Sequence, residues 1–185
     1  SYGVYMYGIV TRSDSQVKSV DGVVRVTRFA QGELTYAAGA FPMPMAISGL
    51  EKLTGAKFIL VPYGGPESTS AVLGKHVDLA VANINNAISF LKTGELRLLA
   101  SASPTRWDCW PEVPTLIEQG YNVSISSYLA LGLPIGVPAD IVEMLSNTFK
   151  EAFNEPDFQE KMRNLGLKPN YLTGEEYYSI LKEQF

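Results

Sequence analysis

A glycine-rich turn is the part of this sequence best suited to binding chemistry. Residues 61–74 read VPYGGPESTSAVLG, and HVDLAVAN follows at 76–83. This pattern predicts a strand, a turn, a helix and a second buried strand. Backbone N–H groups in such a turn can hold an anion without any charged side chain. Two interpretations stay open at this point: Gly64, Gly65 and Ser68 donate to a carboxylate, or they form a tight turn with a serine cap.

Three asparagines follow the second of these strands. Asn83, Asn85 and Asn86 come directly after an apolar run. Ligands bind preferentially at the carboxyl ends of parallel strands, but asparagine at this position is also a common helix cap. We expect one of the three to do both, with Asn83 or Asn85 as the preferred candidate.

An apolar loop precedes the turn in the chain. Residues 37–45 read AAGAFPMPM. Phe41 and the prolines beside it are expected either to form a rigid lip for a ligand or to pack as an ordinary hydrophobic loop. Met43 and Met45 are further candidates for lining a pocket.

Nothing in the sequence predicts catalysis, a cofactor or a metal site. His76 is the sole histidine and Cys109 the sole cysteine. A metal site needs more ligands than surround His76, and a thiol nucleophile needs a base within hydrogen-bond reach. No Gly-x-Ser-x-Gly elbow is present. We expect a protein that is not an enzyme.

Composition excludes several classes of partner. The 185 residues are 46% hydrophobic and 18% charged, and the net charge is -4. This composition is globular, and it gives no electrostatic reason to bind nucleic acid or an anionic membrane surface. No apolar run is long enough to span a bilayer. Residues 1–9 lack a basic start and a cleavage site, so we expect either a cytoplasmic chain or an exported one whose leader has been removed.

Strand and helix patterns alternate through Phe90 and predict an α/β fold with a parallel sheet. The pattern predicts a strand at Tyr5–Thr11, a helix at Ser15–Gln31 closed by Gly32, and a strand at Lys57–Tyr63 buried on both faces. Pro42 and Pro44 are expected to delay the next helix until Met45.

The pattern changes after Tyr121 and becomes mainly helical from Ala139. Apolar residues stripe one helix face at Ile141, Leu145 and Phe149, and Thr173 with Glu176 forms a capping box. We expect a ligand-binding α/β lobe at 5–125, a crossover at 126–138 and a helical part at 139–185.

The order of these motifs is similar to that of a known receptor family. The segments are VPYGG, AVLGKHVDLAVAN, LKTGELRLLASAS, PEVPTLIEQGY and SSYLALGLPIGVPADIVEMLSNTF. In this order and at this spacing they resemble the extracytoplasmic solute receptors of tripartite tricarboxylate transporters, the Bug family. The resemblance covers nearly the whole chain.

The resemblance implies a fold, a location and a function. In that family, two lobes of the periplasmic-binding-protein type II kind close over a small carboxylate. This chain resembles lobe two, with a parallel-rich sheet, followed by helices returning to an incomplete lobe one whose N-terminal half is absent. It implies a periplasmic receptor that captures an organic acid for membrane transporter subunits. Tyr128 lies where the family has an aromatic residue at the crossover, so it is expected either to stack on a ligand or to pack at the hinge.

The chain also departs from the family pattern. The family has a hydroxyl-rich loop where this chain has Gly39, Ala40 and Phe41, and a lysine is missing from the turn at 63–65. We therefore expect an apolar or aromatic monocarboxylate to bind in preference to citrate. The alternative function is the ligand-sensing effector domain of a transcriptional regulator, which shares the bilobal fold. The apolar stripe that begins at Ile141 further predicts self-association.

Overall fold

The computed structural model describes residues 1–29 and 34–184. The chain divides into two compact units, Met6–Ser126 and Ser1–Tyr5 with Ser127–Phe185. In chain order the strands and helices are β1 (Gly3–Tyr5), β2 (Tyr7–Arg12), α1 (Val20–Phe29), β3 (Thr35–Ala38), α2 (Met43–Thr54), β4 (Ile59–Pro62), α3 (Glu67–Leu73), β5 (Leu79–Asn83), α4 (Ile84–Lys92), β6 (Leu96–Ser101), β7 (Ser127–Leu129), α5 (Ala139–Asn154), α6 (Pro156–Asn164), β8 (Leu167–Pro169) and α7 (Gly174–Gln184).

The unit Met6–Ser126 is built on a sheet with strand order β4-β3-β5-β2-β6. β3 pairs in parallel with β4 and β5, whereas β2 pairs antiparallel with β5 and β6. β3, β4, β5 and β6 therefore run in one direction, and β2 is reversed between two of them. The predicted α/β fold with a parallel-rich sheet is confirmed, and the reversed strand explains why the sheet is mixed rather than wholly parallel.

The single strand predicted at Tyr5–Thr11 is two strands. β1 and β2 belong to different sheets and are separated at Met6. The Met6 carbonyl accepts a hydrogen bond from the Ile84 N–H at 3.1 Å. Local β-propensity is high throughout this segment, so it cannot show where one chain segment leaves a sheet and enters another.

The prediction that Lys57–Tyr63 is buried on both faces was wrong. β4 lies at the sheet edge, and Ile59 and Leu60 are 51% and 43% exposed. An apolar run reports hydrophobicity but not a strand's place in the order of the sheet. Pro62, which has no N–H to offer, ends this edge strand.

The prediction that Pro42 and Pro44 delay the helix until Met45 was also wrong. α2 begins at Met43, with Pro42 as its N-cap and Pro44 in its first turn. The first N–H groups of a helix have no intrahelical acceptor, so proline is tolerated there. α1 begins at Val20 because the Ser19 hydroxyl accepts the Gly22 N–H at 3.0 Å, and its predicted end at Gln31 and Gly32 lies outside the described residues.

A buried tryptophan connects β2 to the core of this unit. Trp107 is fully buried, and its Nε1 donates to the Tyr7 carbonyl at 3.0 Å. It packs within one cluster with Val10, Ala80 and Leu98. Tertiary packing around this ring supports β2, from which the sheet spreads in both directions.

The unit Ser1–Tyr5 with Ser127–Phe185 has a smaller apolar core. Its three-stranded sheet has the order β7-β1-β8 and is antiparallel. Within its described residues, the buried hydrophobic side chains are Val4, Phe153 and Met162. The predicted capping box is confirmed, because Thr173 N donates to Glu176 Oε2 at 2.8 Å and Glu176 N donates to Thr173 Oγ1 at 3.2 Å.

Candidate functional site

Three of the segments singled out in the sequence follow neighbouring parallel strands. β3 ends at Ala38, β4 at Pro62 and β5 at Asn83, and the three strands lie side by side. Since parallel strands end at the same edge of a sheet, the segments that follow them gather there. We call this group of residues, 39–41, 64–65 and 83–86, the strand-end site.

The first two segments of the strand-end site are in close contact. A β-carbon built on Gly39 would lie 3.5 Å from the backbone nitrogen of Gly65 and 3.5 Å from the sulfur of Met43. A β-carbon built on Gly65 would lie 4.0 Å from Nδ2 of Asn86. Glycine at both positions therefore keeps the Gly65 backbone open beside the Asn86 amide.

Several N–H groups at this site lack acceptors. Within the described residues, the N–H groups of Gly64 and Gly65 make no hydrogen bond. Asn85 and Asn86 lie in the first turn of α4, where N–H groups have no intrahelical acceptor. Neutral donors next to a helix N-terminus favour an anion such as a carboxylate.

Asn83 occupies the N-cap position of α4 but does not cap it. Its backbone is extended, and no side-chain capping hydrogen bond forms. Its Oδ1 is buried and has no donor among the described residues. Simple helix capping, the alternative considered from the sequence, does not account for Asn83.

Asn86, rather than the preferred candidates Asn83 and Asn85, is the asparagine whose side chain lies beside Gly65. Its Nδ2 is the side-chain atom that approaches Gly65, whereas Asn85 is exposed. The spacing of three residues from Asn83 was the available signal, because side chains at i and i+3 share a helix face.

Ser68 has a structural role in the turn. It is fully buried, and its hydroxyl donates to the Gly65 carbonyl at 2.8 Å. The Glu67 N–H donates to the Gly64 carbonyl at 2.9 Å. The Ser68 hydroxyl is thus used to hold the turn, and a contribution of Ser68 to carboxylate binding stays a prediction.

Exposed apolar side chains follow Gly39 in the chain. Phe41 is 79% exposed and Met45 is 51% exposed, whereas Met43 is buried beneath Gly39. Ala40 is exposed as well. The loop therefore presents an aromatic ring in place of hydroxyl groups, and the ring can cover the apolar body of a bound acid.

Tyr128 belongs to the other unit. It lies on β7, opposite Val4 of β1, and its ring packs on the ring of Tyr177 with centroids 5.7 Å apart. Packing was one of the two roles expected for Tyr128 from the sequence, the other being stacking on a ligand.

The remaining reactive side chains form no catalytic set. The His76 side chain is exposed, and the backbone N–H of His76 donates to the Ala71 carbonyl. Desolvation raises the pKa of the Cys109 thiol, which reduces the thiolate needed for nucleophilic attack. Across residues 1–29 and 34–184, no three His, Cys, Asp or Glu side chains group closely enough to hold a metal ion. No helix in those ranges has the length and apolar character required to cross a membrane.

A separate groove on α1 was not predicted. It has a volume of about 580 Å³. Its lining residues are Asp21, Val24, Arg25, Arg28, Phe29 and Tyr121. The Tyr121 hydroxyl donates to Asp21 Oδ1 at 2.5 Å. The groove shares no residue with the strand-end site.

Known proteins are similar to this chain over most of its length. Residues 3–185 match the model of the tripartite tricarboxylate transporter family receptor. The chain is 30% identical over 182 residues to the UPF0065 protein in the gbd 5'region of Cupriavidus necator, covering 97% of this chain and 55% of the relative. It is 26% identical over 180 residues to protein BugT of Bordetella pertussis, and the match covers 95% of this chain and 55% of BugT.

A solved structure shows the same fold. It is that of R. palustris Rpa4515 with adipate, with a TM-score of 0.85 and 22% identity, covering 98% of this chain and 62% of that one. The chain spans about half the length of the two curated relatives named above, 55% of each.

Proposed function

This chain belongs to the tripartite tricarboxylate transporter receptor family, and on that basis we propose that it captures a small organic carboxylate for a membrane transporter. The family consists of solute-binding receptors, so binding rather than turnover is the expected activity. The observation that carries the proposal is the pair of N–H groups of Gly64 and Gly65 without a hydrogen-bond partner among the described residues, next to the Asn86 amide at the start of α4.

The carboxylate is held by neutral donors. The N–H groups of Gly64 and Gly65 are proposed as backbone donors, and the amide of Asn86 lies beside Gly65. Hydrogen bonds to a charged acceptor contribute more than neutral ones, about 1.5–3 kcal/mol each. A few such bonds orient the carboxylate without a lysine or an arginine.

The body of the ligand is apolar or aromatic. Phe41 is exposed two residues after Gly39, and the segment 39–45 contains no side chain with a hydroxyl group. A second or third carboxylate placed against Phe41 loses hydration without gaining a partner, at a cost of roughly several kcal/mol. We therefore propose that a monocarboxylate with an apolar body binds more tightly than citrate.

The biological setting follows from the family. We propose a periplasmic location, a small organic acid as the ligand and the membrane subunits of the transporter as the protein partners. No reaction is assigned, because His76 and Cys109 have no chemical partners that would make a catalytic set. The family match favours this receptor over the effector domain of a transcriptional regulator.

Calorimetry tests the proposal. Titration of the chain with 3-phenylpropionate, adipate and citrate measures the three dissociation constants, and adipate is included because the Rpa4515 structure contains it. We expect 3-phenylpropionate to bind and citrate to bind more weakly. Asn86→Ala or Asn83→Ala should weaken binding by about 1–3 kcal/mol, whereas Asn147→Ala, an exposed change on α5, should not. Tight citrate binding with no response to the aromatic acid would contradict the proposed ligand class.

A further inference from the structure

The groove on α1 carries two positive charges without partners. Arg25 and Arg28 line this groove, which we call the α1 groove, and both residues are exposed. Their spacing of three residues places them on the same face of the helix. The ion pairs formed within residues 1–29 and 34–184 involve other arginines. Neither guanidinium of the α1 groove makes a hydrogen bond to those residues, so both are free to bind an anionic partner.

The carboxylate of α1 is engaged elsewhere. Asp21 precedes Arg25 by four residues, which is the spacing of a common ion pair on a helix. Asp21 Oδ1 instead accepts the Tyr121 hydroxyl at 2.5 Å, and no ion pair between Asp21 and Arg25 forms in the described part of the chain. Tyr121 comes from the segment after β6, so a contact between distant parts of the chain holds Asp21.

Apolar surface belongs to the same groove. Phe29 ends α1 and is 83% exposed, and Val24 lines the groove but is buried. Arginine, tyrosine and phenylalanine are enriched where proteins bind one another. The α1 groove, with a volume of about 580 Å³, is lined by all three residue types. It therefore has the composition of a protein-binding surface.

Other classes of ligand fit this groove less well. A small molecule is usually bound with about 70–90% of its surface buried, whereas Phe29 and both arginines of the groove are exposed. Recognition of anionic lipid usually takes clusters of about four to eight basic residues, and this groove has two, in a chain of net charge -4. An acidic peptide segment fits better, because a guanidinium can hold a carboxylate through two hydrogen bonds.

We propose that the α1 groove docks an acidic, partly apolar peptide segment of a partner protein. Two carboxylates of that segment pair with Arg25 and Arg28, and an apolar side chain packs against Phe29. Tyr121 is a positioning residue, because it holds Asp21 and leaves Arg25 unpaired. This inference goes beyond the proposed function, since it uses no residue of the strand-end site.

A pair of synthetic peptides tests the charge requirement. The first has ten residues, with glutamates on both sides of a leucine and a phenylalanine, and the second has glutamine in place of every glutamate. In a nitrogen-15 NMR titration of the whole chain, the acidic peptide should give saturable shifts in the amide signals of α1 and Tyr121. The glutamine peptide should bind at least about tenfold more weakly.

Charge-removing variants test the assignment to the groove. Arg25→Gln combined with Arg28→Gln should raise the dissociation constant of the acidic peptide about tenfold or more. Lys161→Gln combined with Arg163→Gln removes the same charge at exposed positions on α6 and should have little effect. An equal loss in the α6 variant would show a response to net charge alone and would overturn the assignment.

The role of Tyr121 has its own test. Tyr121→Phe removes only the hydroxyl and releases Asp21 to pair with Arg25, so the acidic peptide should bind about two- to fivefold more weakly, as expected for competition by one exposed ion pair. The same substitution in an Asp21→Asn background should have no such effect. Equal losses in the two backgrounds would show that Tyr121 does not act through Asp21.

The remaining outcomes decide the class of partner. Equal binding of the two peptides, shifts centred outside α1, or no saturable shift would overturn the docking of an acidic segment. Equal shifts with inorganic phosphate would show an anion site without peptide selectivity, and equal shifts with phosphatidylglycerol vesicles would show a membrane contact, so either result overturns the proposal. These wild-type titrations hold whether or not the variants fold. Titration with 3-phenylpropionate tests the strand-end site separately, so failure of the proposed function leaves this result unchanged.

Discussion

Gly39 and Gly65 lie so close together that a β-carbon on Gly39 would sit 3.5 Å from the Gly65 nitrogen. This distance is an ordinary van der Waals contact, so alanine fits without moving the backbone. The added methyl group nevertheless covers the face of the turn on which the Gly65 N–H is exposed. Gly39→Ala should therefore weaken carboxylate binding by about tenfold or more, as expected for one hydrogen bond to a charged group.

The control for this change is Gly174→Ala. A β-carbon at Gly174 meets nothing within 4 Å, and the residue belongs to the other unit. Calorimetry gives the affinity, and urea denaturation gives the free energy of unfolding of each variant. Unchanged affinity in Gly39→Ala, with unfolding also unchanged, would show that Gly65 does not face the ligand.

Phe41 is the aromatic ring expected to cover the ligand's body. It is 79% exposed, so Phe41→Ala should leave the free energy of unfolding within about 0.5 kcal/mol of the wild-type value. Binding of 3-phenylpropionate should weaken by about 1–2 kcal/mol through lost apolar burial, and binding of acetate should change little. Phe29→Ala is a matched control, because Phe29 is 83% exposed and lies on α1. Equal effects on the two acids would contradict an aromatic contact.

The hydrogen bond between Tyr121 and Asp21 predicts that the free energy of unfolding falls at alkaline pH. Burial, followed by the hydrogen bond to Asp21 and the charge of Asp21, raises the pKa of Tyr121 from 10.0 to about 12. The unfolded chain therefore loses this proton first as the pH rises, so the contribution of Tyr121 is complete below pH 10 and is lost by about pH 12. Asp21→Asn should lower the Tyr121 pKa toward 10. The absorbance of tyrosinate measures this titration, and subtracting the signal of the Tyr121→Phe variant isolates the contribution of Tyr121. An unaltered titration in Asp21→Asn would show that the charge of Asp21 has no influence, because the asparagine oxygen still accepts the Tyr121 hydroxyl.

α5 leaves an apolar face uncovered. Ile141, Val142, Met144 and Leu145 are between 37% and 55% exposed. Contiguous exposed apolar surface drives association, so the 185-residue chain should self-associate in sedimentation experiments. Leu145→Lys should raise the dissociation constant about tenfold or more, whereas Val26→Lys, at a residue 40% exposed on α1, should not. A wild-type chain that sediments as a monomer at high concentration would contradict this prediction.

The sequence predicted the fold class because its signals are local. Apolar runs and capping residues mark individual strands and helices, and the capping box at Thr173 and Glu176 forms as expected. Position within the sheet is a tertiary property, so the edge location of β4 and the reversal of β2 had no signal in the periodicity. The predicted start of α2 was wrong for a different reason. Proline destabilises the interior of a helix but is tolerated in its first turn, where Pro44 lies.

The candidate site was predicted in outline but not in detail. Strand order was not needed to expect the ends of β3, β4 and β5 to meet, because parallel strands share an edge. The roles of Ser68 and Asn83 depended on hydrogen bonds that composition does not specify. Ser68 holds the turn at Gly65, and only the structure shows that Asn83 leaves its oxygen unpaired rather than capping α4.

The most direct test of the carboxylate-binding account is a nitrogen-15 NMR titration of the whole chain with 3-phenylpropionate. Backbone amide signals report on each donor separately, including those that no substitution removes. The account predicts saturable shifts at Gly64, Gly65, Asn85 and Asn86, with smaller changes elsewhere. Shifts confined to Arg25 and Arg28 in the α1 groove, or no saturable shift at all, would contradict binding of the carboxylate at the strand-end site.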